Sequence, residues 1–167
     1  MILAFDTYYY NEKAKTVCLL FDKWDAAEPK QVFTEIRDNA NEYIPGEFYK
    51  KELPCITALL EKIDLTNIKY IVVDGYAILD DEGKYGLGGH LYNYLEEKIP
   101  VIGVGKTNFQ TVEERKREVL RGESKNPLYV TAVGIDVDTA AEYIKQMYGK
   151  YRMPTLLKKL DTLTKEI

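Results

Sequence analysis

Histidine is nearly absent: the chain of 167 residues holds one, His90. Chemistry that needs two imidazoles is thereby excluded, and a Ser-His or Cys-His nucleophile would rest on His90 alone. Cysteine is almost as scarce. Cys18 and Cys55 both sit among apolar neighbours, and no Cys/His cluster has the spacing of a zinc site. Buried free thiols are the expectation. Basic residues are in short supply too: 23 Lys and Arg against 27 Asp and Glu leave a net charge of −4. That balance speaks against a simple nucleic-acid binder. A nuclease whose own carboxylates gather cations is the exception. No apolar run reaches the roughly eighteen residues of a membrane span. The start, MILAFDTYYY, lacks the basic region of a secretion signal. A monomeric, cytoplasmic protein is expected, with residues 1–167 forming a single domain.

Apolar residues are plentiful, at 46% of the chain, which is enough for a sizeable core. Ile2 to Tyr10, Lys15 to Phe21 and Gln31 to Arg37 read as strands, with turn residues at Asn11-Glu12-Lys13 and a polar stretch around Ala27-Glu28-Pro29. Short connections make these three an antiparallel meander. Glu47 to Ile63 carries apolar residues at helical spacing, with an interruption expected at Pro54. Ile68 to Val73, Val101 to Val104 and Leu128 to Val133 are short continuous apolar runs, the pattern of strands buried on both faces. Helices are expected between and after them, at Gly88 to Lys98, Thr111 to Leu120, Asp138 to Lys150 and Thr155 to Glu166. The whole predicts an α/β fold: a mixed sheet of five or more strands, meander first and parallel strands after, flanked by helices.

Three acidic residues stand out. Asp6 lies inside the first strand, where an aspartate is disfavoured and needs a partner or an ion. Asp74 ends a buried strand; taken alone, Asp74-Gly75 is an ordinary turn. Glu52 falls on the helix after the meander; taken alone, it faces water. Three carboxylates converging at one end of a sheet would hold hard cations through oxygen, and such ions support phosphodiester hydrolysis.

Several motifs occur in sequence: LAFDTYY, YIPGEFYKKELP, IVVDG, GLGGHL, PVIGVGK, NPLYVTAVG and GKYRMP. In this order, from Ile2 to about Pro154, the chain resembles the endonuclease V family. The resemblance implies a ribonuclease H-like fold and Mg²⁺-dependent cleavage, with Mn²⁺ able to substitute, on the 3′ side of inosine in DNA or RNA. It implies that Asp6, Glu52 and Asp74 are metal-binding carboxylates and that Lys106 stands near the scissile phosphate, where an ammonium stabilises developing charge. It implies that Tyr43, Ile44, Pro45 and Gly46 form a wedge beside the lesion; read alone, they form a hydrophobic staple before a helix. Gly86 and Gly88 match residues lining a pocket for the flipped base, and His90 follows them.

The chain also departs from the family. Asp80, Asp81 and Glu82 stand where basic residues would meet phosphates. No histidine follows NPLYVTAVG; Asp136 offers an alternative oxygen ligand there, or else caps the next helix. Thr155-Leu156 replaces the family's glutamate-proline pair. Two functions of different class follow: an active endonuclease V-like nuclease, or a non-catalytic relative that binds nucleic acid or protein.

Overall fold

The computed structural model describes residues 1–38 and 49–166. Strands β1 (Ile2–Tyr10), β2 (Lys13–Phe21) and β3 (Gln31–Asp38) form the expected antiparallel meander. The β1–β2 hairpin is tighter than expected. Asn11 and Glu12, at φ 43° and 60°, make a two-residue turn, and Lys13 already pairs with Tyr10. Helix α1 (Tyr49–Leu60) runs through Pro54 without ending there. The rest follows as β4 (Tyr70–Asp74), α2 (Leu87–Tyr94), β5 (Val101–Gly105), β6 (Arg117–Val119), β7 (Leu128–Val133), α3 (Val137–Gln146) and α4 (Thr155–Lys165).

Among the described residues the strands make one sheet of seven, ordered β3-β2-β1-β4-β5-β7-β6. β1, β4 and β5 run parallel at its centre. Their apolar runs are buried on both faces, as the continuous patterns Ile71-Val72-Val73 and Val101 to Gly105 require. On one face α3 and α4 cover Val17, Leu19, Val72, Ile102 and Val130. Trp24 closes an edge of that layer by stacking on Tyr143, with ring centroids 4.9 Å apart. On the other face α1 and α2 cover Leu3, Phe5, Ile71, Val73 and Val101.

Two expectations are corrected. Leu128–Val133 was expected to run parallel; β7 runs antiparallel to β5, with Val101 opposite Val133. The stretch Thr111 to Leu120 is not a helix. Arg117–Val119 instead pairs with β7, Arg117 opposite Val130. Upstream, one carboxylate oxygen of Asp81 accepts the backbone N–H groups of Glu113, Glu114 and Arg115, at 2.9, 2.9 and 3.3 Å. A partner more than thirty residues away satisfies donors that a helix would otherwise have claimed. Local pattern carries no sign of it.

Candidate active site

The last β1–β4 pair is Phe5 with Val73, so the next residues, Asp6 and Asp74, follow side by side where the pairing of two parallel central strands ends. Asp6 is 7% exposed, and its Oδ1 accepts the Thr7 N–H at 2.9 Å. Glu52, in the first turn of α1, is buried at 5% exposure. Lys106 follows β5 directly. Its Nζ stands 4.0 Å from Asp74 Oδ1 and 3.9 Å from Asp161 Oδ1 on α4. Asp6, Asp74 and Lys106 line a small pocket floored by Met153, Leu157 and Leu160.

These acids are held in a poor place for charge. Burial, then the neighbouring Asp74 and Asp161, push the Asp6 carboxyl up to about 7; the Thr7 N–H and Lys106 pull the other way. Burial, then Asp6 and Asp74, raise Glu52 well above the ordinary carboxylate range. Asp74 is raised by burial first and by Asp161, against the pull of Lys106. Its side chain keeps 40% of its surface open, so solvent screens part of that effect. The donor set is all oxygen, negatively charged and undercompensated, which is the chemistry that suits a hard divalent cation. Among the described residues no three side chains are already drawn together as a metal-holding group. The lysine ammonium lies between Asp74 and Asp161 instead.

Asp74 also borders an open cleft of about 380 Å³, with Tyr49, Tyr76, Gly86, Leu87 and Phe109 among its walls. Tyr76 Oη donates to Thr107 O at 2.7 Å and accepts the Phe109 N–H at 3.1 Å, which fixes the far wall. Lys116 braces the same wall from behind, donating to Asn108 Oδ1 and to Phe109 O. Tyr49 stacks on His90 with centroids 3.6 Å apart and planes 15° from parallel. Burial lowers the His90 pKa, which favours the neutral ring. His90 thus backs the cleft through Tyr49.

The two glycines separate. Gly86 lines the cleft, and a Cβ there would meet Tyr76 O at 2.6 Å. Gly88 lies in the first turn of α2, where a Cβ would meet Ala77 at 2.9 Å; it serves helix packing. Asp136 caps α3, its Oδ2 accepting the Thr139 N–H at 3.0 Å and hydroxyl at 3.1 Å. Tyr43, Ile44, Pro45 and Gly46 lie outside the described residues. Of the acidic DDE segment, Asp80 accepts the N–H groups of Glu82 and Lys84, and Asp81 holds residues 113–115. Two of the three acids there are committed to backbone.

Sequence reasoning missed Asp161 and the aromatic walls Tyr49, Tyr76 and Phe109. A signal for Asp161 existed. Leu156, Leu157 and Leu160 mark the buried stripe of α4, and Asp161 lies one turn beyond Leu157 at the stripe's edge. Sequence reasoning also missed Arg152, whose Nη2 donates to Lys106 O at 2.6 Å and Pro127 O at 2.8 Å and so fixes the backbone under the lysine.

Comparison with known proteins follows the same lines. The family described as Endonuclease V matches residues 1–122. The endonuclease V of Rippkaea orientalis is 31% identical over 142 residues, covering 72% of this chain and 59% of its own length. That of Nostoc punctiforme is 29% identical over 141 residues, covering 72% and 62%. The chain thus spans about three fifths of the length of these curated relatives. Among solved structures, Ciona intestinalis endonuclease V was determined in complex with a 24mer DNA containing an inosine followed by a ribo-adenosine. It superposes with a TM-score of 0.78 at 17% identity, covering 98% of this chain and 83% of that one. The catalytic domain of human endonuclease V gives 0.76 at 17%, covering 98% and 80%. At that identity the likeness speaks for the fold, which is ribonuclease H-like. With that fold in place, the match over residues 1–122 shows that the chain belongs to the endonuclease V family.

Proposed function

We propose that this protein is a metal-dependent endonuclease that hydrolyses a phosphodiester on the 3′ side of inosine in DNA or RNA. The observation that carries the reading is the gathering of Asp6, Asp74 and Asp161 around Lys106, with buried Glu52 near Asp6 and Asp74, next to an aromatic-walled cleft. Two buried carboxylates, Asp6 and Glu52, with Asp74 close by are costly to a fold and suit a site that receives cations. Asp6, Glu52 and Asp74, with Asp161 beside Lys106, would hold Mg²⁺ or Mn²⁺. When bound, the ion supplies electrostatic stabilisation of the phosphoryl oxygens and a water of lowered pKa.

The residues divide the remaining work. The Lys106 ammonium offsets charge on the phosphate, held in place by Asp74 and Asp161 and by the Arg152 clamp on its carbonyl. The cleft accepts an unstacked base between Tyr49 and Phe109, where flat faces exclude water. Tyr43, Ile44, Pro45 and Gly46 enter the gap the base leaves. The inosine-containing DNA in the complex of the Ciona relative supports this choice of base.

The test is a cleavage panel of inosine-containing single- and double-stranded DNA and RNA, with Mg²⁺, Mn²⁺ or EDTA. Cleavage is expected with either metal, absent in EDTA and in Asp74→Asn. Metal binding without cleavage of any of the four substrates would overturn the reading in favour of a non-catalytic binding module.

A further inference from the structure

β1 does not stop at Asp6. Its last residues, Thr7 to Tyr10, pass beyond the end of the β4 pairing and pair with β2. Strand alternation puts Tyr8 and Tyr10 on the sheet face that carries Asp6. The register sets Lys15 opposite Tyr8 and Lys13 opposite Tyr10 on that same face. The Tyr8 and Tyr10 rings are half-buried and lie 6.1 Å apart, with planes 17° from parallel, so they present one nearly continuous aromatic face. The last turn of α4 brings Lys165 to this strip, its Nζ 5.9 Å from the Tyr8 ring and 3.3 Å from Asp161 Oδ2. Lys15 Nζ donates to the Glu166 carbonyl beside it.

Three lysines and two tyrosines therefore lie in a row that starts at the Asp6 carboxylate, in a chain whose net charge is −4. Asp38, opposite Lys13 on β3, is the acid at its outer end. Cross-strand packing accounts for tyrosines in a hairpin. It does not account for lysines on the same face, running toward a cluster of acids that repels phosphate. A groove with flat aromatic rings and flanking ammonium groups is what single-stranded nucleic acid takes: bases stack without regard to sequence, and phosphates pair with the cations.

We propose that Tyr8, Tyr10, Lys13, Lys15 and Lys165 form a platform for the single strand that continues from the scissile phosphate, leading it away from the Asp6 site along β1. The proposal rests on the nuclease reading for its direction, but its binding test does not need cleavage.

That test measures binding of a fluorescein-labelled 12-nucleotide single strand without inosine, in EDTA, by anisotropy. Tyr10→Ala should weaken binding by at least about fivefold, the low end of one lost base–ring stack, while Tyr10→Trp restores it. An abasic strand should bind the parent protein more weakly and show no further loss in Tyr10→Ala. The double substitution Lys13→Gln, Lys15→Gln, on the surface and tolerant of folding, should flatten the salt dependence by about 0.7 in log–log slope per lost phosphate contact. On a cleavable substrate the Tyr10→Ala loss should fall on KM. Unchanged affinity in both Tyr10→Ala and the lysine pair would overturn the platform, as would equal loss on intact and abasic strands. Intact binding with no cleavage anywhere would overturn the nuclease reading and leave the platform standing.

Discussion

Asp6 is where residue-scale physics and function oppose each other. Its ordinary pKa of 3.8 is pushed up to about 7 in the fold, chiefly by burial. A carboxyl whose folded pKa lies above its unfolded value keeps a proton that the unfolded chain has lost. Folding is then favoured at low pH and progressively disfavoured as pH rises from about 4 to about 7. Glu52 and Asp74 are raised as well and act in the same direction. The metal-free protein is therefore expected to lose thermal stability across that window. Asp6→Asn should flatten the fall and raise Tm at pH 8, by about 2–4 °C for each kcal/mol recovered in a chain of this size, while abolishing cleavage. Differential scanning fluorimetry across pH in EDTA checks this; an unchanged pH slope in Asp6→Asn would count against the buried-charge account.

At the scale of elements, the question is which acid does what. Asp136 was an alternative metal ligand by sequence, and its carboxylate caps α3. Removing an N-cap costs about 1 kcal/mol, so Asp136→Ala should lower Tm by about 2–4 °C and leave the Mg²⁺ concentration for half-maximal cleavage where it was. A shift in that midpoint would return Asp136 to the metal site. α4 supplies the contrast: Asp161 has its buried neighbour Leu160 on one side and Lys106 within 3.9 Å on the other. The segment before α4 is held by Arg121, a buried guanidinium that donates to the carbonyls of Met147, Gly149, Tyr151 and Arg152. Through Arg152 and Lys106 that clamp reaches the site itself.

For the whole molecule, the carboxylate cluster makes stability a function of divalent cations. A ligand that binds only the folded state at 100 times its Kd adds about 2.7 kcal/mol, so saturating Mg²⁺ should raise Tm by several degrees. EDTA should reverse the gain, and Asp74→Asn should abolish it. A Tm indifferent to Mg²⁺ in the parent protein would mean that the acids do not bind the ion. The same sheet separates two surfaces. The cleft opens beside Asp74, Tyr76 and Phe109, whereas the tyrosine–lysine strip leaves from Asp6 along β1.

By itself the sequence determined six of the seven strands, the meander and the buried pair β4 and β5, because continuous apolar runs have one stable use, burial between two helix layers. It also marked Asp6, because an aspartate inside an apolar strand needs a partner or an ion; Asp74 stood out only together with Asp6 and Glu52. Tertiary structure alone decided β6 and the antiparallel course of β7, because β7 pairs with β5 and with β6, and Asp81 holds residues 113–115 out of a helix just before β6. It alone brought Asp161 to Lys106, two residues far apart in sequence. It alone turned Gly88 to packing, and for Asp136 it shows the cap, one of the two readings the sequence left open. Periodicity reports which face of an element is buried; it cannot report which distant charge that face will meet.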